Sequence, residues 1–128
     1  MKTFRFRDFF IYREARDFRR VVRGILKQFP SSEQFKLIDQ IDRSTLSIIL
    51  NIAEGSAKNS DKDFARFLVM SIASVNEVIA GFDASFDDGL IAIDQLHIIE
   101  IHAENLARQI GSFIQRLRSS GQKLQATS

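Results

Sequence analysis

The side chains with the clearest potential for metal or acid–base chemistry are the two histidines, His97 and His102. They lie five positions apart, which places them on different faces of a helix, whereas a helical zinc pair needs a spacing of four. Glu100 and Glu104 are close in sequence, but they do not make the paired Glu-x-x-His arrangement of di-iron bundles. The chain has no Cys, so thiolate ligands are excluded. We therefore predict no metal site and no cofactor.

Serines are the next candidates, as nucleophiles. For Ser44, Ser47, Ser71 and Ser74 no histidine is placed to activate the hydroxyl, and no strand-turn-helix elbow surrounds them. A glycine-rich phosphate loop is also missing from the sequence. These observations predict a protein that is not an enzyme.

A basic face on the first predicted helix is the strongest functional signal. Its cationic residues recur at three-four spacing and are Arg13, Arg16, Arg20, Arg23 and Lys27. Residues 1–30 hold nine basic and three acidic side chains, a local charge of +6, although the whole chain carries only +2. Arginine dominates, and its planar guanidinium suits phosphate. This face predicts contact with nucleic acid, either RNA or DNA.

Two structural alternatives compete with nucleic-acid binding. The basic face could simply be solvated, with Asp17 pairing with Arg13 and Arg20. It could instead meet the acidic third helix of a neighbouring subunit, because residues 60–91 hold two basic and six acidic side chains, a charge of −4.

A polar stripe follows one side of the second predicted helix. Its members are Gln40, Arg43, Ser47, Asn51 and Glu54. We interpret it as a buried polar network that fixes the register between helices, in preference to a ligand or partner site. Gly55 follows the stripe and is expected to stop the helix in the left-handed cap conformation.

Four long amphipathic helices must position these side chains, since one Pro and six Gly in 128 residues favour helices over a turn-rich β fold. Apolar seams and capping signals predict helices over 8–28, 32–54, 61–87 and 93–119. Pro30 ends the first helix, Ser31 with Gln34 forms a capping box for the second, and Ser60 caps the third. Short connections predict an all-α, antiparallel up-down-up-down four-helix bundle in a single domain, 1–119, with a disordered tail, 120–128.

More apolar side chains are present than one four-helix core needs. Those that fall off the seams are Phe9, Phe10, Val21, Leu46, Ile49, Leu50, Phe67, Ile72, Ile79 and Phe86. Helices with two apolar faces are buried on two sides, so self-association is expected. The longest apolar run, Leu46 to Ala53, is too short to span a bilayer, and Met1 to Arg7 does not read as a signal peptide. We expect a soluble cytoplasmic protein without a membrane partner.

Several motifs along the sequence resemble those of a known family. The residues that carry the resemblance are Phe29-Pro30, Glu33, Gln40, Arg43, Ser47, Asn51-Ile52-Ala53-Glu54-Gly55 and Phe64-Ala65-Arg66-Phe67-Leu68. They resemble the four-helix bundle proteins also called 23S rRNA-intervening-sequence proteins, over roughly residues 8–118. A departure is Ile11-Tyr12, where many members carry Val-Trp.

The resemblance implies a four-helix bundle that assembles as a ring-shaped homopentamer. Related pentamers act as accessory subunits of diversity-generating retroelements, together with a reverse transcriptase and its RNA. The expected function is therefore a non-enzymatic oligomer that binds RNA or DNA through the basic face, as an accessory to rRNA intervening sequences or a reverse transcriptase. The alternative is a protein-interaction scaffold whose charges serve only ring assembly.

Overall fold

The computed structural model describes residues 3–127, with side chains omitted for 33–35 and from 121 onward. All regular elements in residues 3–127 are helical, which confirms the all-α prediction. The four α-helices are α1 (Phe10–Leu26), α2 (Asp39–Ser56), α3 (Asp61–Asp87) and α4 (Ile93–Thr127). Three short elements accompany them: 3-10 turns at Arg5–Asp8 and Ser31–Glu33, and a π-helical turn at Gln34–Ile38.

The predicted seams form one shared apolar core. The α1 seam is buried throughout, at Ile11, Ala15, Phe18, Val22, Ile25 and Phe29. The α3 seam is buried as well, at Phe64, Leu68, Ser71, Val75, Val78 and Phe82. In α4 the seam shifts at its end, because Ile114 is buried while Phe113 and Leu117 are only half-buried. Helical periodicity therefore located the core.

The helices contact one another in chain order. α2 packs against α3, α3 against α4, and α1 against both α2 and α4. Contacts between α2 and α3 pair Ile41 with Gly81 and Ser47 with Ser74. Farther along α2, Gly55 faces Phe64, so the residue number on α3 falls as the number on α2 rises.

The entry into α2 differs from the prediction. Regular α-helix begins at Asp39 and not near residue 32, because the 3-10 and π-helical turns fill the interval after Pro30. The end of α1 also tightens, with Gln28 and Phe29 donating N–H bonds to carbonyls three residues back.

Gly55 does not stop α2 by a left-handed cap, and that prediction is wrong. α2 continues to Ser56 and is capped by Ala57 in right-handed geometry, with φ −88°. Gly55 serves close packing, because an added Cβ would lie 2.8 Å from Phe67 Cβ and 2.9 Å from Phe64 Cδ1. Left-handed backbone among the described residues occurs at Gly89, φ +75°, in the turn that precedes α4.

The start of α3 agrees with the prediction, whereas the end of α4 differs from it. Ser60 caps α3 as predicted, by accepting the N–H of Asp63 at 3.1 Å. α4 continues to Thr127, beyond the predicted end at residue 119, since the segment after it contains no proline to break the helix. The side chains from 121 onward lie outside the described residues, and the disorder of the tail stays a prediction.

By length and composition α3 is apolar enough to cross a membrane. A helix at the core of a soluble bundle meets the same criterion, and α3 packs on both α2 and α4.

Candidate nucleic-acid interface

The predicted basic face lies on the outer side of α1. All five of its cationic residues are exposed: Arg13, Arg16, Arg20, Arg23 and Lys27. They are exposed because the buried seam residues, such as Phe18 and Val22, turn the opposite side of α1 towards the core. The helix therefore presents a row of positive charge to solvent.

Two carboxylates pair with this face. Asp17 accepts from Arg20 on the same helix. Asp42 of α2 lies with Oδ1 3.8 Å from Arg23 Nε and 3.6 Å from a terminal nitrogen of Arg19. The Asp17–Arg20 pair is exposed and contributes about 0–1 kcal/mol, so it leaves Arg20 available to a stronger anion, whereas Asp42 is half-buried and its Oδ1 is enclosed.

Arg19 was not assigned to the basic face, and the structure places it at the junction of α1 and α2. It is half-buried, and its Nε is enclosed without a hydrogen-bond partner in the described structure. Arg19 follows Arg16 by three positions on the same helix, and this spacing was the sequence signal that could have assigned it to the basic face.

A groove runs along the contact between α1 and α2, with a volume of about 270 Å³. It is lined by Tyr12, Arg16, Arg19, Arg20, Leu46 and Ile49. A smaller groove of about 150 Å³ continues the same junction and is lined by Arg23, Leu26, Lys27, Ile38 and Asp42. Both grooves combine arginine or lysine with apolar side chains. The cations can bind the phosphates of a nucleic-acid strand, and the apolar side chains can contact its bases.

An aromatic cluster lies beside the first groove and was missed by sequence reasoning. The rings of Phe4 and Phe6 are 6.2 Å apart, and those of Phe6 and Tyr12 are 4.9 Å apart, both in edge-on geometry. Arg7 lies over Phe4 at 5.1 Å, and Arg16 lies over Tyr12 at 5.7 Å. The alternation Phe4-Arg5-Phe6-Arg7 was the signal that could have found it.

Arg5 anchors this N-terminal segment to the rest of the fold. Its guanidinium donates to the Ser56 carbonyl through Nε at 3.1 Å and a terminal nitrogen at 2.7 Å. It also lies over the rings of Phe9 and Phe64, 5.5 and 5.6 Å from their centroids. A cation at the C-terminal end of α2 satisfies a free carbonyl and complements the helix dipole.

Polar side chains join α2 to α3. Asn51 Nδ2 donates to Ser47 O at 2.9 Å and to Ser47 Oγ at 3.1 Å. Ser74 of α3 donates to Ser47 Oγ at 2.9 Å, and Ser71 donates to the Ile48 carbonyl at 3.0 Å. Farther along, Ser44 Oγ lies 3.1 Å from a carboxylate oxygen of Glu77.

The predicted polar stripe is thus split between two surroundings. Ser47 and Asn51 are half-buried and lie together, whereas Gln40, Arg43 and Glu54 lie on the exposed side of α2. Arg43 pairs with Asp39 one turn earlier, at 3.4 Å. The serines of α3 were considered as nucleophiles, and the structure gives them hydrogen bonds to α2 instead.

The opposite side of the molecule is acidic. A groove of about 320 Å³ between α3 and α4 has Asp83, Glu100 and Glu104 around an apolar floor that includes Ile79 and Ala103. His97 and His102 are exposed. Within the described part of the chain, no group of three His, Cys, Asp or Glu side chains is arranged to hold a metal ion.

Four helices around a shared core, with polar contacts joining α2 to α3, define an all-α four-helix protein. The chain belongs to the 23S rRNA-intervening sequence protein family, whose model matches residues 7–112. This confirms the resemblance drawn from the motifs within residues 29–68. Curated proteins give no match to the chain.

Proposed function

We propose that this protein is a non-enzymatic, homo-oligomeric, antiparallel four-helix bundle that binds RNA or DNA through the basic face of α1. The observation that carries the proposal is the exposure of all five cations on that face, Arg13, Arg16, Arg20, Arg23 and Lys27. Phosphate is the anion that a row of arginines recognises best, because the guanidinium fork matches its oxygens.

The proposed interaction is electrostatic and has little sequence preference. Asp17 weakens the positive field only in part, since its ion pair with Arg20 is exposed, and the half-buried Asp42 pairs with Arg19 and Arg23. Contacts to phosphate position a protein on nucleic acid without reading the bases. Affinity should therefore fall steeply and linearly, on logarithmic axes, as salt is raised.

The up-down-up-down order of the helices is supported by the α2–α3 contacts, in which Ile41 faces Gly81 while Gly55 faces Phe64. Self-association is supported by large apolar side chains that remain exposed. Those on α2 to α4 are Leu46, Leu50, Val69, Met70, Phe86, Ile93, Ile98 and Ile101. The resemblance favours a ring-shaped homopentamer, and rotational symmetry would repeat the basic face around one axis, so weak contacts add through avidity.

The same resemblance suggests the setting of this binding. We propose a cytoplasmic accessory role at an rRNA intervening sequence or beside a reverse transcriptase and its RNA. A soluble, membrane-free location is consistent with α3 packing on both of its neighbours.

Filter or gel binding of RNA and DNA at several salt concentrations tests the proposal. The variant is Arg16→Glu/Arg20→Glu/Arg23→Glu, and its matched control reverses three exposed arginines elsewhere, Arg66→Glu/Arg108→Glu/Arg116→Glu. Both triple variants have the same net charge, so a difference between them reports position and not total charge.

Loss of binding in the α1 variant alone, with oligomer mass unchanged by light scattering, supports the proposal. If neither the wild type nor the variants bind at low salt, the basic face does not bind nucleic acid. If the two variants bind equally, another surface is responsible.

A second candidate function is a protein-interaction scaffold in which the charges serve ring assembly. The acidic groove between α3 and α4 favours it, since Asp83 and Glu104 could meet Arg16 and Arg20 of a second copy. Reversal of either pair should then reduce the oligomer mass, and a double reversal, Arg16→Glu/Arg20→Glu/Asp83→Arg/Glu104→Arg, should restore it. Unchanged mass in all variants contradicts this candidate.

A further inference from the structure

We infer that the ligand of the basic face is single-stranded nucleic acid, and that its bases stack on the aromatic cluster of Phe4, Phe6 and Tyr12. The inference rests on the proposed function and narrows it, from nucleic acid in general to strands whose bases are free.

The first observation is an aromatic surface left open to solvent. Phe4 is 53% exposed, and its ring contacts Phe6, which contacts Tyr12 in turn. The edge-on geometry of both contacts fixes the three rings relative to one another. A base can therefore be received by rings that are already ordered, with little further loss of side-chain freedom.

The second observation is that cations flank the cluster at both ends. Arg7 lies 5.1 Å from the Phe4 centroid and Arg16 lies 5.7 Å from the Tyr12 centroid. Each guanidinium lies over one face of its ring, so a base stacks on the face that remains free and has a positive charge near its phosphate.

The third observation is continuity with the groove between α1 and α2. Tyr12 belongs to both the aromatic cluster and the groove, and Arg16, which lies over Tyr12, lines the same groove together with Arg19 and Arg20. A strand that stacks on the cluster can thus continue along the arginines. Proteins that bind single strands without sequence preference combine these two features, a positive groove and stacking rings.

Duplex nucleic acid fits these features poorly. Its bases are stacked on one another and paired, so their flat faces are not available to Phe4 or Tyr12. Only the phosphate contacts of the arginines remain for a duplex. Stacking should therefore raise the affinity for single strands but not for duplexes, while the arginines bind the phosphates of both.

The test compares a short oligouridine with an RNA duplex of the same length, at equal low salt. The variants are Phe4→Leu and Tyr12→Leu, which keep apolar bulk but remove the ring. Each should weaken oligouridine binding by about tenfold and leave duplex binding unchanged, because one stacked base is lost. Tyr12→Phe restores the ring that Tyr12→Leu removes and should recover oligouridine binding, and the distant Phe86→Leu is the control and should bind both ligands as the wild type does.

Tyr12 also supplies a direct signal, because it is the only tyrosine and the chain has no tryptophan. A base stacked on its ring should quench the intrinsic fluorescence. Titration with oligouridine should lower the emission, after correction for absorption by the oligonucleotide, and titration with the duplex should leave it unchanged.

The outcomes separate this inference from the proposed function. If the wild type binds neither ligand, the proposed function fails and the inference fails with it. If the wild type binds both and the leucine variants bind oligouridine normally, the inference fails alone. If Phe4→Leu lowers the oligomer mass without changing oligouridine affinity per chain, Phe4 is a contact between copies and the inference is also overturned.

Discussion

Ser74 donates a hydrogen bond to Ser47 Oγ at 2.9 Å and thereby joins the middle of α3 to the middle of α2. The same oxygen accepts from Asn51 Nδ2 at 3.1 Å. Both helices keep their own backbone hydrogen bonds at this point, so the side chains alone make the polar link. Burying such a link costs little free energy when all its hydrogen bonds are made. Removing one partner costs more, because the other is left unsatisfied.

A double-mutant cycle on Ser47→Ala and Ser74→Ala should measure this link. Each single variant should lower the free energy of unfolding by about 1 kcal/mol, and the pair should show a coupling of about 0.5–1 kcal/mol. Urea denaturation measures all four proteins. Exposed Ser112→Ala is the control and should change stability little. Strictly additive effects would mean that the two hydroxyls act independently.

Gly55→Ala should destabilise the fold, although alanine is the better helix former. An added Cβ would lie 2.8 Å from Phe67 Cβ, and the helices must separate to admit it, at a cost of about 1–3 kcal/mol. Gly24→Ala is the matched control, since nothing lies within 4 Å of its added Cβ. It should stabilise the protein by about 0.5–1 kcal/mol. Thermal and urea denaturation of both variants provide the comparison, and equal shifts of the same sign would contradict the packing role.

Arg5→Ala should lower the free energy of unfolding by about 1–2 kcal/mol. The variant loses two hydrogen bonds to the Ser56 carbonyl and the contacts with Phe9 and Phe64. Arg5→Lys keeps the charge but not the fork and should recover part of the loss. Arg118→Ala, on the exposed side of α4, should stay within about 0.5 kcal/mol of the wild type. A wild-type stability in Arg5→Ala would show that the cap contributes nothing.

Asp17→Asn and Asp42→Asn should raise the affinity for nucleic acid. Each substitution removes a negative charge that pairs with Arg20 or Arg23, and it keeps the size of the side chain. The combined variant should bind at least several-fold more tightly at low salt, with the gain shrinking as salt rises. Asp87→Asn, at the exposed end of α3, is the control for the net charge of each single variant. An equal gain from Asp87→Asn would point to total charge in place of the α1 surface.

The sequence by itself determined the number of α-helices and most of the core. Seam residues such as Phe18, Leu68 and Ile110 are fully buried, because their helical spacing places them on the apolar face of their helix, and that face packs against the core. It also determined that Arg13 and Lys27 are exposed, since their spacing places them on the side of the first helix that faces away from its buried seam. The family followed from the motifs within residues 29–68, which include the Asn51–Gly55 segment.

Tertiary structure alone decided what depends on a neighbouring helix. Gly55 was expected to cap α2, but the approach of Phe64 and Phe67 explains the glycine. The polar stripe was expected to act as a unit, but only Ser47 and Asn51 of its members bond to each other, and Ser74 of α3 bonds to Ser47. Residue types and spacing along one helix cannot reveal which groups on another helix lie opposite, because register is set by the packing of both. The aromatic cluster is the same case, since Arg5 holds its segment in place through a carbonyl 51 residues away.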